Sequence, residues 1–232
     1  FVSGAGCIAN DIWDRQFDKK VRRTKERPLA NGKVSLYAAW ILLISMLFFS
    51  LIVVLYIPTE SRNLCLQLAT LSLPFILLYP SAKRWFKFPQ LILSICWGFS
   101  VLIPWAASES SLAGGLPLLF CWLATIFWTF GFDTVYAMAD EIDDKLIGLN
   151  SSAISLGKGS IKTVSFCYFS TCFFLAFGAF KANLGLTFWP FWLIATLAMQ
   201  REVILLNSKP KGIKSSGSHF SNQVRIGSFL LL

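Results

Sequence analysis

The sequence predicts an all-α fold, a polytopic bundle of transmembrane helices, and three observations predict it. Of its 232 residues 55% are hydrophobic and only 14% charged, where a soluble domain carries roughly 25% charged residues. Six apolar runs approach the roughly 20 residues that a spanning helix needs. The basic residues also alternate between successive loops, as the two sides of a membrane require.

The runs follow in chain order from about Leu36 to Ile57, Leu64 to Tyr79, Leu91 to Ala107, Leu112 to Met138, Thr163 to Phe180 and Leu186 to Leu206. The second and third are short and contain Pro74 and Pro104. They still read as spans, because neighbouring helices re-satisfy a backbone that proline interrupts. Phe1 to Ala9 is apolar but too short to cross, lacks an initiator Met, and follows no basic segment of the kind that opens a signal peptide. Ile226 to Leu232 stops within an apolar run. The expectation is a single domain over 1–232, truncated at both ends, with six complete spans.

With loops numbered from Ala9–Ser35 onward, the odd loops and their flanks hold 19 of the 21 basic residues. The first holds eight, from Arg15 to Lys33; the third Lys83, Arg84 and Lys87; the fifth Lys145, Lys158 and Lys162. The seventh holds Lys209, Lys211 and Lys214, flanked by Arg201 and Arg225. The even loops hold only Arg62 and Lys181. The basic side is therefore expected to be cytoplasmic. The net charge of +9 reflects this bias. Basic residues spread over membrane loops do not make the single charged face that nucleic acid needs. Six cysteines without a CxxC pair, and the lone His219, make no zinc site.

Seven of the twelve acidic residues fall in two short stretches, Asp11, Asp14 and Asp18, then Asp140, Glu141, Asp143 and Asp144. Both lie on the basic side, so they can meet. Carboxylates packed this densely repel unless a cation neutralises them. Mg²⁺ suits a few carboxylates together with substrate phosphate oxygens, which points to chemistry on a diphosphate at a membrane. Asn10, Asp14 and Asp18 share one helix face at i, i+4 and i+8, with Asp11 at its edge. Asp140 and Asp144 form a second stripe, which extends backward through Tyr136 and Asp133. An ionisable residue inside an apolar run, as Asp133 is, marks a functional site by default.

A diphosphate leaving group calls for fixed cations. Arg22-Arg23-Thr24-Lys25-Glu26-Arg27-Pro28-Leu29 follows the first cluster, and Lys83-Arg84 follows Tyr79-Pro80. Arg27, Lys25 and Lys83 are assigned to the diphosphate. Arg84, which comes straight off a span end, is the other cation singled out.

At these residues the chain resembles the UbiA-type intramembrane prenyltransferases. Gly4-Ala5-Gly6-Cys7 leading into Asn-Asp-x-x-Asp-x-x-x-Asp is similar to that family's first signature. The loop from Val21 to Gly32 is similar to the segment that follows it. Gly131 to Asp140 with Asp143-Asp144, Lys145 and Gly148 looks like the second signature, and Tyr79-Pro80, Lys83-Arg84 and Pro89-Gln90 match a third block. The wording is most similar to members that prenylate 4-hydroxybenzoate in ubiquinone- or plastoquinone-type quinone biosynthesis.

The resemblance implies nine helices, most of the first two and part of the last absent here. It implies Mg²⁺ held by Asn10, Asp14, Asp18, Asp140 and Asp144, with the four aspartates catalytic. Arg84 would take the carboxylate of 4-hydroxybenzoate and Arg27 the diphosphate, or the two would exchange, and Tyr136 and Asp133 would lie at the acceptor. The implied substrates are a polyprenyl diphosphate and 4-hydroxybenzoate. The implied setting is a lipid bilayer, most simply a bacterial inner membrane, with the site on the cytoplasmic side.

Related acceptors, namely homogentisate, a naphthoate, chlorophyllide or haem, form the alternative within the class. A secondary transporter also uses intramembrane carboxylates, but its site favours the bilayer midplane, whereas both clusters here lie at span ends. A structural scaffold explains neither stripe.

Overall fold

The computed structural model describes residues 1–208 and 213–228, the side chains of 213–216 excepted. Lys209, Lys211, the Lys214 side chain and the apolar residues 229–232 lie outside the described residues. The described elements are helical, with no strand among them. In order they are α1 (Val2–Asp18), α2 (Leu36–Leu55), α3 (Thr59–Ala82), α4 (Pro89–Glu109), α5 (Gly115–Ile147), the short α6 (Ser152–Leu156), α7 (Ser160–Lys181), α8 (Phe188–Ser208) and α9 (Ile213–Ser228).

Local chemistry sets the boundaries. The Ser35 hydroxyl accepts the Ala38 N–H at 3.1 Å and starts α2. Pro89 occupies the first turn of α4, where its missing N–H costs nothing. Gly148 ends α5 at φ +73°, a conformation that glycine adopts without a Cβ penalty. Pro74 and Pro104 lie within continuous helices, as expected.

Five segments are long and apolar enough to cross a bilayer: α2, α3, α4, α5 and the stretch 152–181. The protein is an integral membrane protein. Large apolar side chains stay exposed along α2, Ile44, Phe48 and Val53 among them, which suits lipid rather than water as the surrounding solvent. The sixth expected span forms as α8, its apolar run interrupted by Gln200-Arg201-Glu202, with Glu202 accepting from Asn222 of α9.

The first loop is also shorter than expected. α1 continues to Asp18, so the acidic stretch is helical and the loop covers 19–35.

α5 is the central element, in contact with α4, α6, α7 and α9. Its close approach to α7 depends on Gly131, where an added Cβ would stand 3.0 Å from the Cys167 Cβ and the Tyr168 ring. Buried Val135, Val164, Tyr168, Met199, Val203 and Ile226 join α5, α7, α8 and α9 in one core. A second core, around Cys65, Leu68 and Phe99, joins α3 to α4.

The 33 residues of α5 extend about 50 Å at 1.5 Å per residue, beyond the ~30 Å hydrocarbon layer. Its acidic C-terminal end can therefore stand at the membrane surface. The loops at that end are tied together. The Asn150 N–H donates to the Lys83 carbonyl at 2.7 Å, the Ser152 N–H to Gln90 Oε1 at 2.7 Å, and the Ser155 hydroxyl to the Lys87 carbonyl at 2.6 Å.

Candidate active site

Two helix ends present the carboxylates; cations from two loops reach the first, and two arginines of the loop 19–35 reach the second. Asp14 is 3% exposed. One of its oxygens accepts Lys83 Nζ at 3.1 Å and the other Arg84 Nη2 at 3.1 Å. Arg84 is fixed further by donating to the Pro80 carbonyl at 3.0 Å and by lying 4.7 Å above the Phe17 ring. Arg27 donates to Asp11 at 2.6 Å and to Asp18 at 3.1 Å. Burial raises the Asp18 carboxyl above its ordinary range, and Arg27 opposes that shift.

On the other side, Arg23 donates through Nε to both Asp140 oxygens, at 2.8 and 3.0 Å, and its guanidinium lies 5.2 Å from the centre of the Tyr136 ring. Burial works against its charge, but Asp140 prevails and holds the guanidinium above its ordinary range. Arg22 binds Asp143 through its backbone N–H at 3.0 Å and its side chain at 3.1 Å.

The loop 19–35 thus closes over both stripes. It is held in place by buried Val21, Leu29 and Ala30, and by the Thr24 hydroxyl donating to the Asp18 carbonyl at 3.1 Å.

The residues singled out from sequence fall into groups. Asp14, Asp18, Lys83, Arg84 and Arg27 gather at the end of α1. Asp133, Tyr136, Asp140 and Asp144 follow one another along α5. Lys25 is exposed and joins none of the ion pairs described here. Arg84 sits on Asp14, among the first-cluster residues, rather than beside Tyr136. Arg23 takes the place beside Tyr136. Its position among eight basic residues gave no signal that distinguished it, since only the loop's path decides which arginine reaches α5.

Among the described residues, no three His, Cys, Asp or Glu side chains close on a common point as metal ligands. Cations stand between the carboxylates instead. The donor set nevertheless fits Mg²⁺. Asn10 Oδ1 is buried without a hydrogen-bond partner, one helical turn before Asp14. A buried acceptor left unpaired costs about 1–3 kcal/mol, which a hard cation would offset.

Fold and site together define an integral-membrane helical protein whose cationic loop and span ends converge on two acidic helix stripes. The UbiA prenyltransferase family model matches residues 1–220. The chain belongs to the UbiA prenyltransferase family. It is 39% identical over 230 residues to the 4-hydroxybenzoate solanesyltransferase of Synechocystis sp., covering 99% of this chain and 77% of that protein. It is 36% identical over 196 residues to the 4-hydroxybenzoate octaprenyltransferase of Cupriavidus pinatubonensis, covering 82% of this chain and 64% of that protein. Among solved structures, a UbiA homologue from Aeropyrum pernix K1 superposes with a TM-score of 0.77 at 27% identity, covering 98% of this chain and 83% of that one.

Proposed function

We propose that this protein transfers a polyprenyl group from an allylic polyprenyl diphosphate to 4-hydroxybenzoate, at the ring carbon ortho to the hydroxyl, with Mg²⁺, in quinone biosynthesis. The observation that carries this is the pair of carboxylate stripes closed over by fixed cations, Lys83 and Arg84 at Asp14 and Arg23 at Asp140. The relatives' activities point the same way.

Asn10, Asp14, Asp18, Asp140 and Asp144 would hold Mg²⁺, which supplies positive charge beside the diphosphate oxygens. Lys83, Arg84 and Arg27 stabilise the negative charge that grows on the diphosphate as its C–O bond breaks. The ring carbon of the acceptor forms the new bond to the allylic carbon and then loses its proton. Arg23, beside Tyr136, is placed to meet the acceptor's carboxylate, and Arg84, on the Asp14 side, the diphosphate. Asp133 and Tyr136 border the acceptor. The allylic cation must be kept from water, and the loop 19–35, tied to both stripes, is the segment placed to cover it. The deciding experiment incubates the protein in membranes with Mg²⁺, radiolabelled 4-hydroxybenzoate and a series of polyprenyl diphosphates. Label entering no lipid product removes the reading.

The site faces the cytoplasm of a bacterial inner membrane in this reading, on the strength of the 19-to-2 partition of basic residues. Cysteines placed at Glu60 and Glu109 in a Cys-free background should label from outside. A cysteine at Lys87 should label only from inside, and outside labelling there would reverse the orientation.

A further inference from the structure

A buried polar cluster on α7, α8 and α9 takes no part in the chemistry above. Tyr168 Oη and His219 Nε2 are 2.7 Å apart, His219 Nδ1 and Glu202 Oε2 3.3 Å, and Asn222 Nδ2 donates to Glu202 Oε1 at 2.9 Å. Tyr168 is 0%, His219 2% and Glu202 7% exposed. An ionised Glu202 can only accept. His219 then donates from Nδ1 to Glu202 and accepts the Tyr168 hydroxyl at Nε2. One residue further along α9 from Asn222, Gln223 accepts the Trp128 indole N–H at 3.0 Å.

Buried networks of this kind are weak sources of stability but demand one arrangement, because a shifted helix leaves several groups unsatisfied. The network therefore fixes the seating of α9 against α5, α7 and α8.

That seating sets an aromatic contact. Phe220, next to His219, lies 5.5 Å from Phe132 and 6.1 Å from Tyr136, ring centre to ring centre. Phe132 and Tyr136 are themselves 5.9 Å apart on one face of α5. Tyr136 lies beneath Arg23, and Arg23 binds Asp140. A continuous packed path thus runs from Glu202 to the second carboxylate stripe. Phe220 is 44% exposed, so it does not fill the core, and removing its ring leaves the bundle's interior intact.

We propose that Phe220 is a positioning residue for the aromatic acceptor: seated by the Tyr168–His219–Glu202 network, it fixes Tyr136 and through it the Arg23 guanidinium. This rests on the reading that Tyr136 and Arg23 face the acceptor, and the test separates the two.

In the full protein in membranes, Phe220→Ala should raise the KM for 4-hydroxybenzoate about tenfold, the loss of two ring contacts, and leave the KM for polyprenyl diphosphate within about twofold. Phe220→Tyr, which keeps the ring, should restore the KM. His219→Ala should reproduce the Phe220→Ala pattern, and His219→Gln, which can both donate and accept, should lessen it. Equal changes in both KM values, a change in kcat alone, no change, or no rescue by Phe220→Tyr overturns the proposal.

A second measurement needs no activity. In a Cys-free background, a short bifunctional thiol reagent should cross-link the Tyr136→Cys/Phe220→Cys pair, and adding His219→Ala should abolish the cross-link. A cross-link that survives His219→Ala overturns the proposal. If the cross-link is lost as expected but the wild-type protein prefers another acceptor, the functional reading alone fails.

Discussion

Asp14→Ala and Asp140→Ala should each reduce prenyl transfer by roughly three orders of magnitude, about 4 kcal/mol of transition-state stabilisation. Asp14 is the more deeply committed of the two. It is buried, it meets Lys83 through one oxygen and Arg84 through the other, and it lies one turn from the unpartnered Asn10 oxygen. In the proposed site its loss would remove a metal ligand, and it takes from Lys83 and Arg84 the carboxylate they share. Asp140 holds the opposite stripe and fixes Arg23. Chelation by EDTA should abolish activity in the wild-type protein and added Mg²⁺ restore it. Protease protection of membrane-inserted protein separates this loss from misfolding, since neither aspartate lies in the apolar cores. Full activity in a chelated assay would exclude the metal-dependent mechanism.

Arg23→Lys should raise the KM for 4-hydroxybenzoate by roughly 30-fold or more, corresponding to the loss of about 2–5 kcal/mol from a charged contact in a partly dry site. The fork of a guanidinium fits a carboxylate in two places at once, and an ammonium does not reproduce it. The KM for polyprenyl diphosphate should change far less. Arg84→Lys should show the opposite preference, because Arg84 shares Asp14 with Lys83 and is assigned to the diphosphate in the proposed mechanism. A matrix of two variants against two substrates tests the assignment directly. If Arg84→Lys alone raises the KM for 4-hydroxybenzoate, the two arginines exchange roles and the reaction class stands.

The two predictions differ in how much of them the sequence already contained. The importance of Asp14 and Asp140 follows from spacing, because residues four apart on a helix must share a face. The continuous α5 follows in the same way, as an apolar run whose acidic stripe keeps the helical period past the membrane surface. Arg23 is different. Arg22, Arg23, Lys25 and Arg27 are neighbours in an irregular loop that has no period, and composition treats them alike. The structure separates them: Arg27 turns to α1, Arg22 and Arg23 cross to α5, and Lys25 faces outward.

The sequence by itself determined the membrane bundle and the two carboxylate stripes. Hydropathy, charge alternation and helical period are local properties that each segment carries alone. Tertiary structure decided which cation serves which carboxylate, that Glu202 of α8 pairs with His219 and Asn222 of α9, and that Phe220 reaches Tyr136. Those outcomes depend on residues up to 121 positions apart, as Arg22 and Asp143 are. Such contacts are fixed only when loop paths and helix packing bring distant side chains within the few ångströms over which hydrogen bonds and ion pairs act.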